Sequence, residues 1–368
     1  MSFATSKSPP VSLAEQTSKV YRLLRGLHAS YAIHIGVELG FFQCIAKGKG
    51  PGVTASELAR ECGTDPKYTR YWCQMLASLE LLESQGSQKS QTSDPSVRYK
   101  LPPYFDQILG NQEDPFYIGG AARSHIQISH DYEKFPSLFR SGKTYPFQDH
   151  SAEFLSSVAS SNRALAKRLI AIIVPKLPEV LAKLKTPGTK LLDIGCGGGH
   201  AIVEFAKTFP GCSCVGVDIE PHSIRKANQL IARNGLRSRV SARVASGTNY
   251  GSAGTFDLVT MFLSLHEISP KLKQRVLNSA SRVLRPGGII LIYDEAYPEK
   301  ISELSTEPQL FAVMAQWFEG PWGNIISTSA EIREMVRTAG FEVAAETTFS
   351  RFYVLAGRKA EKKRPGKL

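Results

Sequence analysis

A glycine-rich turn between an apolar segment and a helical pattern is the feature that most constrains the fold of this chain. The turn lies in KLLDIGCGGGH, residues 190–200, where Leu191, Leu192 and Ile194 are typical of a short buried strand. The segment that follows, AIVEFAKTF, has apolar residues at helical spacing. A strand, a glycine turn and a helix in this order open a doubly wound α/β sheet. Glycine suits such a turn because the backbone must bend tightly and approach a ligand closely.

The spacing of the glycines discriminates between nucleotide-binding motifs. A phosphate loop ends in Gly-Lys-Ser or Gly-Lys-Thr, which does not follow here, and a dinucleotide fingerprint needs glycine where His200 stands. The turn instead matches D-x-G-x-G-x-G, with Asp193, Gly195, Gly197 and Gly199. A carboxylate two residues before the first glycine suits a cationic ligand better than a diphosphate. The turn resembles the first motif of the class I S-adenosylmethionine-dependent methyltransferases.

An acidic residue after the second predicted strand supports the same interpretation. The segment CSCVGVDIE, residues 212–220, is apolar and β-branched and contains Asp218, nineteen residues after Gly199. An acid at about this distance, at the end of the second strand, is placed to bind the hydroxyls of a ribose. We therefore predict Asp218 as a cofactor ligand, although an isolated acid in a loop would simply be solvated.

Composition and charge exclude several classes of protein. The chain has 368 residues, of which 42% are hydrophobic and 21% charged, as expected for a globular protein of two domains. The sequence has neither the run of about 20 apolar residues that spans a membrane nor an apolar signal core at its start. The formal net charge is +12, but the basic residues are scattered outside the C-terminal tail. The charge therefore supports a nucleic-acid partner only weakly.

The cysteine and histidine spacings predict no metal site. The six cysteines form no C-x-x-C pair, so we expect reduced, buried thiols, with Cys196 a small filler in the glycine turn. His125 and His130 are five residues apart, which is poor spacing for a shared metal ion.

The first hundred residues predict a helix-turn-helix followed by a β wing. Thr54 or Ser56 caps a helix, with Glu57 at the capping-box position for Thr54, and Asp65-Pro66 starts the next helix. A short strand, RYKL, follows a polar insertion. The second helix carries many apolar side chains, Trp72 among them, whereas a major-groove reader exposes polar ones. We expect a winged helix that serves as a dimerisation or substrate-lid module.

The remaining strands complete a seven-stranded sheet. The third covers Val240 to Val244, the fourth is FDLVTMFLSLHE at 256–267, and the fifth lies in IILIYDEAYPE. FEVAAETTF and RFYVLAGRK form an antiparallel pair at the sheet edge. The predicted fold is α/β: a Rossmann-like seven-stranded methyltransferase sheet with an N-terminal, mostly helical winged-helix domain.

We expect five segments along the chain. The segments are a disordered N-terminus at 1–12, a winged-helix dimerisation domain at 13–109, a helical connector and active-site roof at 110–186, a cofactor-binding domain at 187–359 and a basic tail at 360–368. In the connector, six aromatic residues either line an apolar substrate cavity or belong to the core: Phe116, Tyr117, Phe135, Phe139, Tyr145 and Phe147.

Four landmarks in order carry the resemblance: LLDIGCGGG, VGVDIE, FDLVTMFLSLHE and LRPGGIILIYDE. With the winged helix in front, the chain is similar to small-molecule O-methyltransferases that dimerise through that domain. The resemblance implies S-adenosylmethionine as cofactor. Many methyltransferases place an acid near the adenine after the third strand; here Ser246 is the nearest polar replacement. The residues assigned to the cofactor are Asp193, Gly195, Gly197, Gly199, Asp218, Ile219, Ser246 and Phe262.

The same resemblance implies a catalytic histidine. Many O-methyltransferases carry Leu-His-Asp-Trp after the fourth strand, with the histidine as general base. Here Leu265-His266 matches the first two positions, and Glu267 and Ile268 replace the others. Glu295 is implied as the carboxylate near that histidine. An imidazole with a pKa near 6.5 can take the proton of a hydroxyl near neutral pH. Alternatively, His266 bonds the backbone or only orients an amine, thiol or carbon acceptor.

We expect a methyl transfer to a hydroxyl of a small-molecule acceptor, by in-line displacement that depends largely on positioning. The competing class is a winged-helix regulator that uses a methyltransferase-like domain as a sensor. An N- or C-methyltransferase without a base is a further alternative, and a protein or RNA methyltransferase is less favoured because no Asn-Pro-Pro-Tyr motif is present. The expected location is the cytoplasm; the C-terminal Gly-Lys-Leu only loosely resembles a peroxisomal signal.

Overall fold

The structure, a computed structural model, describes residues 11–48, 50–86, 91–307 and 309–360. Most of the expected disordered N-terminus and nearly all of the basic tail therefore lie outside the described residues. The chain divides into two units, one of residues 1–113 with 117–126 and the other of residues 114–116 with 127–368.

The first unit is mostly helical and carries a small antiparallel sheet. Its strands pair in the order β1-β3-β2, so that a helix pair is followed by a two-stranded wing. This arrangement fits the winged helix that the sequence predicts. The elements are α1 (Leu13–Glu38), α2 (Phe41–Lys47), β1 (Val53–Thr54), α3 (Ala55–Cys62), α4 (Pro66–Ser78), β2 (Glu83–Gln85) and β3 (Arg98–Lys100).

Side-chain caps start the helices of this unit where the sequence predicts them. Thr54 and Glu57 exchange hydrogen bonds with each other's backbone N–H groups at 2.8 and 3.1 Å, which confirms the capping box. Asp65 accepts from the backbone of Lys67 and Tyr68 and begins α4. Each cap satisfies backbone donors that a helix start leaves unpaired.

Helix α1 leaves an apolar stripe exposed. It buries only Ala32 and Gly36 within its own unit. Exposed apolar patches mark interaction surfaces. Six side chains between 37% and 72% exposed form the stripe: Val20, Leu23, Leu24, Leu27, Tyr31 and Ile35.

Among the described residues, no single helix is long and apolar enough to cross a membrane. Helices α1 and α2 pass that test only when they are taken together, as a pair bent by 64°.

The second unit is built on a seven-stranded sheet in the order β6-β5-β4-β7-β8-β10-β9. The first five strands of that order are parallel, and the last two are antiparallel to their neighbours. This order confirms the predicted sheet and its edge pair. The strands are β4 (Lys190–Ile194), β5 (Ser213–Asp218), β6 (Val240–Val244), β7 (Phe256–Phe262), β8 (Leu284–Glu295), β9 (Phe341–Phe349) and β10 (Phe352–Lys359).

Helices pack on both faces of this sheet. Nearly continuous apolar strands are buried between them, as expected when both faces of a parallel sheet are covered. Helix α5 (Gly119–Ser129) runs from the first unit into the second. The others are α6 (Phe135–Ser141), α7 (Ala152–Arg168), α8 (Pro178–Lys185), α9 (His200–Thr208), α10 (Pro221–Arg233), α11 (Pro270–Val283), α12 (Gln309–Trp322) and α13 (Ser329–Thr338).

The fourth strand is shorter than the sequence predicts. We expected it to cover 256–267, but β7 ends at Phe262, and Leu263 has a φ of 50°. A positive φ at a non-glycine residue breaks the extended backbone and starts a turn. His266 therefore lies in a loop after the strand. The apolar run by itself does not predict that loop.

Candidate active site

Two loops meet where the strand order of the large sheet reverses. One follows β4 and the other follows β7, and these two strands are neighbours. The hydroxyl of Ser264 donates to the carbonyl of Ile194 at 2.7 Å and ties the loops together. Gly195 has a φ of +77°, and a Cβ there would lie 2.4 Å from the Cβ of Ser264. This crevice is where open α/β sheets bind ligands.

A cavity of about 450 Å³ opens at this crevice, within the size range of small-molecule sites. Six residues assigned to the cofactor from the sequence line it: Gly195, Gly197, Asp218, Ile219, Ser246 and Phe262. Gly199 lies behind the wall instead. A Cβ on Gly199 would be 2.9 Å from that of Ala227, so this glycine permits α9 to approach α10 closely.

Asp218 is fixed at the cavity wall by the backbone. One carboxylate oxygen accepts the N–H of Gly197, and the other accepts the N–H of Glu220, both at 2.9 Å. Burial raises the pKa of Asp218, and these hydrogen bonds oppose that shift. Each oxygen keeps further lone pairs, so the carboxylate can accept hydrogen bonds from a ligand as well.

Asp193 lies beneath the glycine turn rather than on the cavity wall. The hydroxyl of Thr260 donates to its Oδ1 at 2.6 Å, whereas its buried Oδ2 has no partner among the described residues. Burial raises the pKa of Asp193 to about 7. Cys196 next to it is also buried, and burial raises the pKa of this thiol well above its ordinary value. It packs as the small filler that the sequence predicts.

His266 is buried and held by Asp294. The Nδ1 of the imidazole bonds Oδ1 of Asp294, while Oδ2 accepts the backbone N–H groups of Leu265 and His266 at 2.7 and 3.2 Å. Burial alone would lower the pKa of His266. The carboxylates of Asp294, Glu319 and Glu267 outweigh burial and raise that pKa well above its ordinary value. The imidazole therefore keeps its proton to a higher pH than an ordinary histidine does.

Two further carboxyls face the other side of the imidazole. The Nε2 atom lies 4.0 Å from Oε1 of Glu267 and 3.9 Å from Oε1 of Glu319. Burial raises the pKa of both carboxyls, and the imidazolium opposes the shift. Glu267 lines the cavity and has 36% of its side chain accessible, whereas His266 contributes no surface to this cavity. Glu267 is thus the member of the cluster that a ligand can reach.

The sequence predicts Glu295 as the carboxylate near His266, but the carboxylate that bonds Nδ1 is Asp294, the preceding residue of β8. Successive side chains of a strand point to opposite faces, so Asp294 and Glu295 cannot both take that position. The charge of His266 still acts on Glu295. The Oε2 atom of Glu295 is buried without a partner in the described part of the chain, and burial raises the pKa of its carboxyl to about 7.

A second polar cluster holds the roof of the cavity. Asp131 accepts hydrogen bonds from Nε2 of His150, Nζ of Lys134 and Nε1 of Trp322 at 2.5, 2.8 and 3.0 Å. Trp322 lines the cavity, so this cluster joins α12 to the segment around residues 131–150. Of the six aromatic residues considered for a substrate cavity, Phe147 lines it. Phe135 and Tyr145 pack with Trp322 in a core cluster.

Comparison with protein families identifies both units. Residues 185–340 match the model described as a methyltransferase domain, and residues 21–103 match the model described as an O-methyltransferase dimerisation domain. The chain therefore contains an O-methyltransferase dimerisation domain followed by a methyltransferase domain. The first match begins before the glycine turn and ends after α13. It therefore contains the cavity-lining residues that follow the sheet strands.

Similar proteins agree with this family. The chain is 32% identical to nocamycin O-methyltransferase of Saccharothrix syringae over 148 residues, which make up 40% of this chain and 48% of that one. It is 22% identical over 327 residues to 3-hydroxy-5-methyl-1-naphthoate 3-O-methyltransferase of Streptomyces sahachiroi, 86% and 87% of the two chains. The chain spans about half the length, or less, of the first curated relatives that it matches.

Solved structures share the fold. An O-methyltransferase family protein from Burkholderia thailandensis has a TM-score of 0.70 at 18% identity, over 94% of this chain and 99% of that chain. Human N-acetylserotonin methyltransferase in complex with S-adenosylmethionine has a TM-score of 0.66 at 16% identity, over 96% and 100% of the two chains.

The cavity of the methyltransferase fits S-adenosylmethionine. Gly197 lines it, and a Cβ there would meet no described atom within 4 Å, so the wall beside Asp218 is open to a ligand. Phe262 and Ile219 offer apolar surface to a base, and Asp218 offers acceptors to hydroxyl groups. A glycine-lined wall with carboxylates and apolar flanks suits a cationic nucleoside better than a diphosphate.

Proposed function

We propose that this protein transfers the methyl group of S-adenosylmethionine to a hydroxyl of a small-molecule acceptor. The observation that carries the proposal is one cavity lined both by the glycine turn with Asp218 and by Glu267 of the imidazole cluster. The names of the nocamycin and naphthoate relatives, both O-methyltransferases, support a hydroxyl as the acceptor group.

In this proposal Asp218 binds the ribose hydroxyls, Ser246 lies toward the adenine, and Phe262 and Ile219 pack against the base. The backbone of Gly195 and Gly197 approaches the methionine side. When bound, S-adenosylmethionine supplies a methyl group that its sulfonium already activates. The chain has to position the acceptor in line and to remove the proton from its hydroxyl.

Glu267 takes that proton, and His266 acts through it. The O–H bond of the acceptor breaks, the proton moves to the carboxylate of Glu267, and the freed electron pair makes the oxygen a stronger nucleophile. Burial raises the pKa of Glu267 to about 8, so its carboxylate is a stronger base than an ordinary one. The imidazolium of His266, held by Asp294, keeps Glu267 in place and stabilises its charged form. This role differs from the one that the sequence predicts for His266, because the proton goes to Glu267 and the imidazole acts only through that carboxylate.

The apolar stripe of α1 forms a homodimer interface in this proposal. Leu23 and Leu27 are 72% and 55% exposed, and they lie inside the match to the dimerisation domain. A second copy of the chain would cover apolar side chains that the first unit leaves in water.

Methyl transfer from labelled S-adenosylmethionine into a fractionated cell extract tests the function. We expect label in the small-molecule fraction with the wild type, and its loss with Glu267→Gln and His266→Ala while cofactor binding persists. Glu342→Gln, on an exposed carboxylate of β9, is the matched control and should keep activity. Label in protein or RNA would overturn the acceptor class. Binding of duplex DNA with steep salt dependence and no turnover would favour the regulator instead.

A further inference from the structure

Two cysteines of the first unit bring their sulfur atoms into direct contact. Cys44 lies in α2 and Cys62 is the last residue of α3, and their Sγ atoms are 2.9 Å apart. The two residues are 18 positions apart in the chain, so the fold creates this contact. Both side chains are half-exposed, whereas the other four cysteines are buried as the sequence predicts. A dissolved reagent can therefore reach this pair.

The core of the first unit holds the two helices that carry the pair. Helix α2 buries Phe41 and Phe42, and α3 buries Leu58 in the same apolar cluster. Cys44 and Cys62 pack against the edge of that cluster. The distance between the backbones of the two cysteines is therefore set by the packing of both helices.

The contact needs only a small movement to become a covalent bond. The sulfurs of a disulfide are about 2.05 Å apart, so the two Sγ atoms have to approach by less than about 1 Å. Rotation of the two side chains supplies a movement of this size. As a hydrogen bond the contact stabilises the fold little, because a thiol is both a weak donor and a weak acceptor. The strong interaction open to these two groups is the disulfide.

We propose that Cys44 and Cys62 form a disulfide when a small-molecule disulfide such as oxidised glutathione oxidises them, which makes the pair a site of reversible covalent modification. The reduced thiols that the sequence predicts are the other state of the same pair. Both cysteines lie inside the match to the dimerisation domain. The inference is independent of the proposed methyl transfer.

The oxidation proceeds in two exchange steps. One thiolate of the pair attacks a sulfur of oxidised glutathione, and a glutathione thiolate leaves. The second thiolate of the pair attacks the resulting mixed disulfide at the protein sulfur, so that the bond between Cys44 and Cys62 forms and the second glutathione leaves. The two protein thiols lose two electrons and two protons in total, and the oxidised glutathione gains them as two thiols.

The surroundings of the pair slow this reaction at neutral pH. Burial raises the pKa of the Cys62 thiol to about 12, and the contact with Cys44 adds to that shift. Only the thiolate attacks a disulfide. We therefore expect the rate of oxidation to increase with pH.

The bond would close a loop that contains a glycine-rich segment. Gly50 and Gly52 lie between α2 and β1 and have φ values of +115° and +92°. Glycines give the unfolded chain many conformations, and a cross-link between Cys44 and Cys62 removes a large share of them. The oxidised protein should therefore melt several degrees above the reduced protein.

Incubation of the full-length protein with excess oxidised glutathione, followed by N-ethylmaleimide, tests this site. Intact mass counts the thiols that remain free, and peptide mapping identifies the linked residues. We expect the wild type to lose two free thiols through a bond between Cys44 and Cys62 and to melt several degrees higher. Reduction with dithiothreitol should reverse both changes.

Variants of the pair separate the internal bond from simple thiol modification. In Cys44→Ala and Cys62→Ala the remaining thiol of the pair should carry glutathione as a mixed disulfide, without the rise in melting temperature. Cys73→Ala is the matched control, because it removes a buried thiol of the same unit outside the pair and should leave the oxidation unchanged. The wild-type result alone decides whether the bond forms, so a variant that does not fold leaves the proposal testable.

Four results with the wild type would overturn the assignment. They are six free thiols after prolonged incubation at alkaline pH, two mixed disulfides with glutathione in place of the internal bond, a bond that joins other cysteines or two chains, and an internal bond that leaves the melting temperature unchanged. None of these measurements requires methyl transfer.

Discussion

Asp294 accepts hydrogen bonds from both the backbone and the imidazole of His266. An amide at this position would retain the shape but lose the negative charge, so we expect Asp294→Asn to lower the pKa of His266 markedly. The imidazolium would then lose its proton at a lower pH than in the wild type, and kcat should fall by about 10²-fold, in the range of general acid–base effects. NMR titration of the imidazole and single-turnover kinetics check both effects. An unchanged titration would contradict the assigned pairing.

The pH dependence of kcat/KM distinguishes the cavity-facing carboxyl from the imidazole. Glu267 must be ionised to accept a proton, and burial raises its pKa above the ordinary value. The rate should therefore rise as pH increases through about 8, well above the usual glutamate pKa of about 4.3. Glu267→Asp should retain a rising limb with reduced rate, and Glu267→Gln should lack it. A profile that is identical in wild type and Glu267→Gln would show that another group takes the proton.

Replacement of Asp218 should weaken the cofactor without unfolding the sheet. We expect Asp218→Ala to cost about 2 kcal/mol of binding, or roughly 30-fold in Kd, because charge-assisted hydrogen bonds are lost. Calorimetry with S-adenosylhomocysteine measures the change. Asp257→Ala is the control, since Asp257 also accepts a backbone N–H, from Lys190 at 2.9 Å, and it contributes nothing to the cavity lining. Equal losses in both variants would point to a general effect on the sheet.

The glycine turn should respond to a methyl group through sterics as well as backbone strain. Gly195 and Gly235 have φ values of +77° and +67°, but only at Gly195 would a Cβ meet a neighbour, Ser264, at 2.4 Å. Gly235→Ala should cost about 1–2 kcal/mol from the left-handed backbone alone. Gly195→Ala should cost more in the free energy of unfolding, by urea denaturation, and should also weaken cofactor binding. Similar costs for the two variants would remove the steric explanation.

The apolar stripe of α1 predicts a change in oligomeric state. Leu23→Glu together with Leu27→Glu would place two charges at an interface, so sedimentation should show a shift from dimer to monomer. Ile301→Glu, at a side chain 87% exposed in the second unit, is the control and should leave the assembly unchanged. A wild type that is monomeric at all concentrations would contradict the proposed interface.

The regular parts of the fold follow from local patterns. The caps at Thr54 and Asp65 and the apolar strands around Asp193 are set by residues close in sequence, so their positions could be predicted. The end of β7 could not, because the left-handed turn at Leu263 depends on its contact with Tyr293, 30 positions away. An uninterrupted apolar run carries no signal for such a turn.

The cofactor side was also more predictable than the catalytic side. Most residues assigned to the cofactor lie on the cavity because a strand and the turn after it fix them together. The partners of His266 come from separate elements, Asp294 on β8 and Glu319 on α12. Whether Asp294 or Glu295 bonds His266 depends on which face of β8 meets the loop. A shift of the strand by one residue would exchange the two faces, and the sequence of the strand does not fix that register. The roof contact between Trp322 and Asp131 spans 191 positions and gave no local signal.

Glu319 and Trp322 lie one turn apart on α12, and each contacts a different polar cluster. One turn of helix therefore sets the spacing between the counter-ion of His266 and the anchor of the roof. A substitution at Asp131 or His150, far in sequence from the loop after β7, would act on the protonation equilibrium of the imidazole by displacing Glu319. Such a substitution would shift the pH profile of kcat/KM and leave the affinity for the cofactor unaltered. A residue far from the substrate would then give the kinetic result expected of one that touches it.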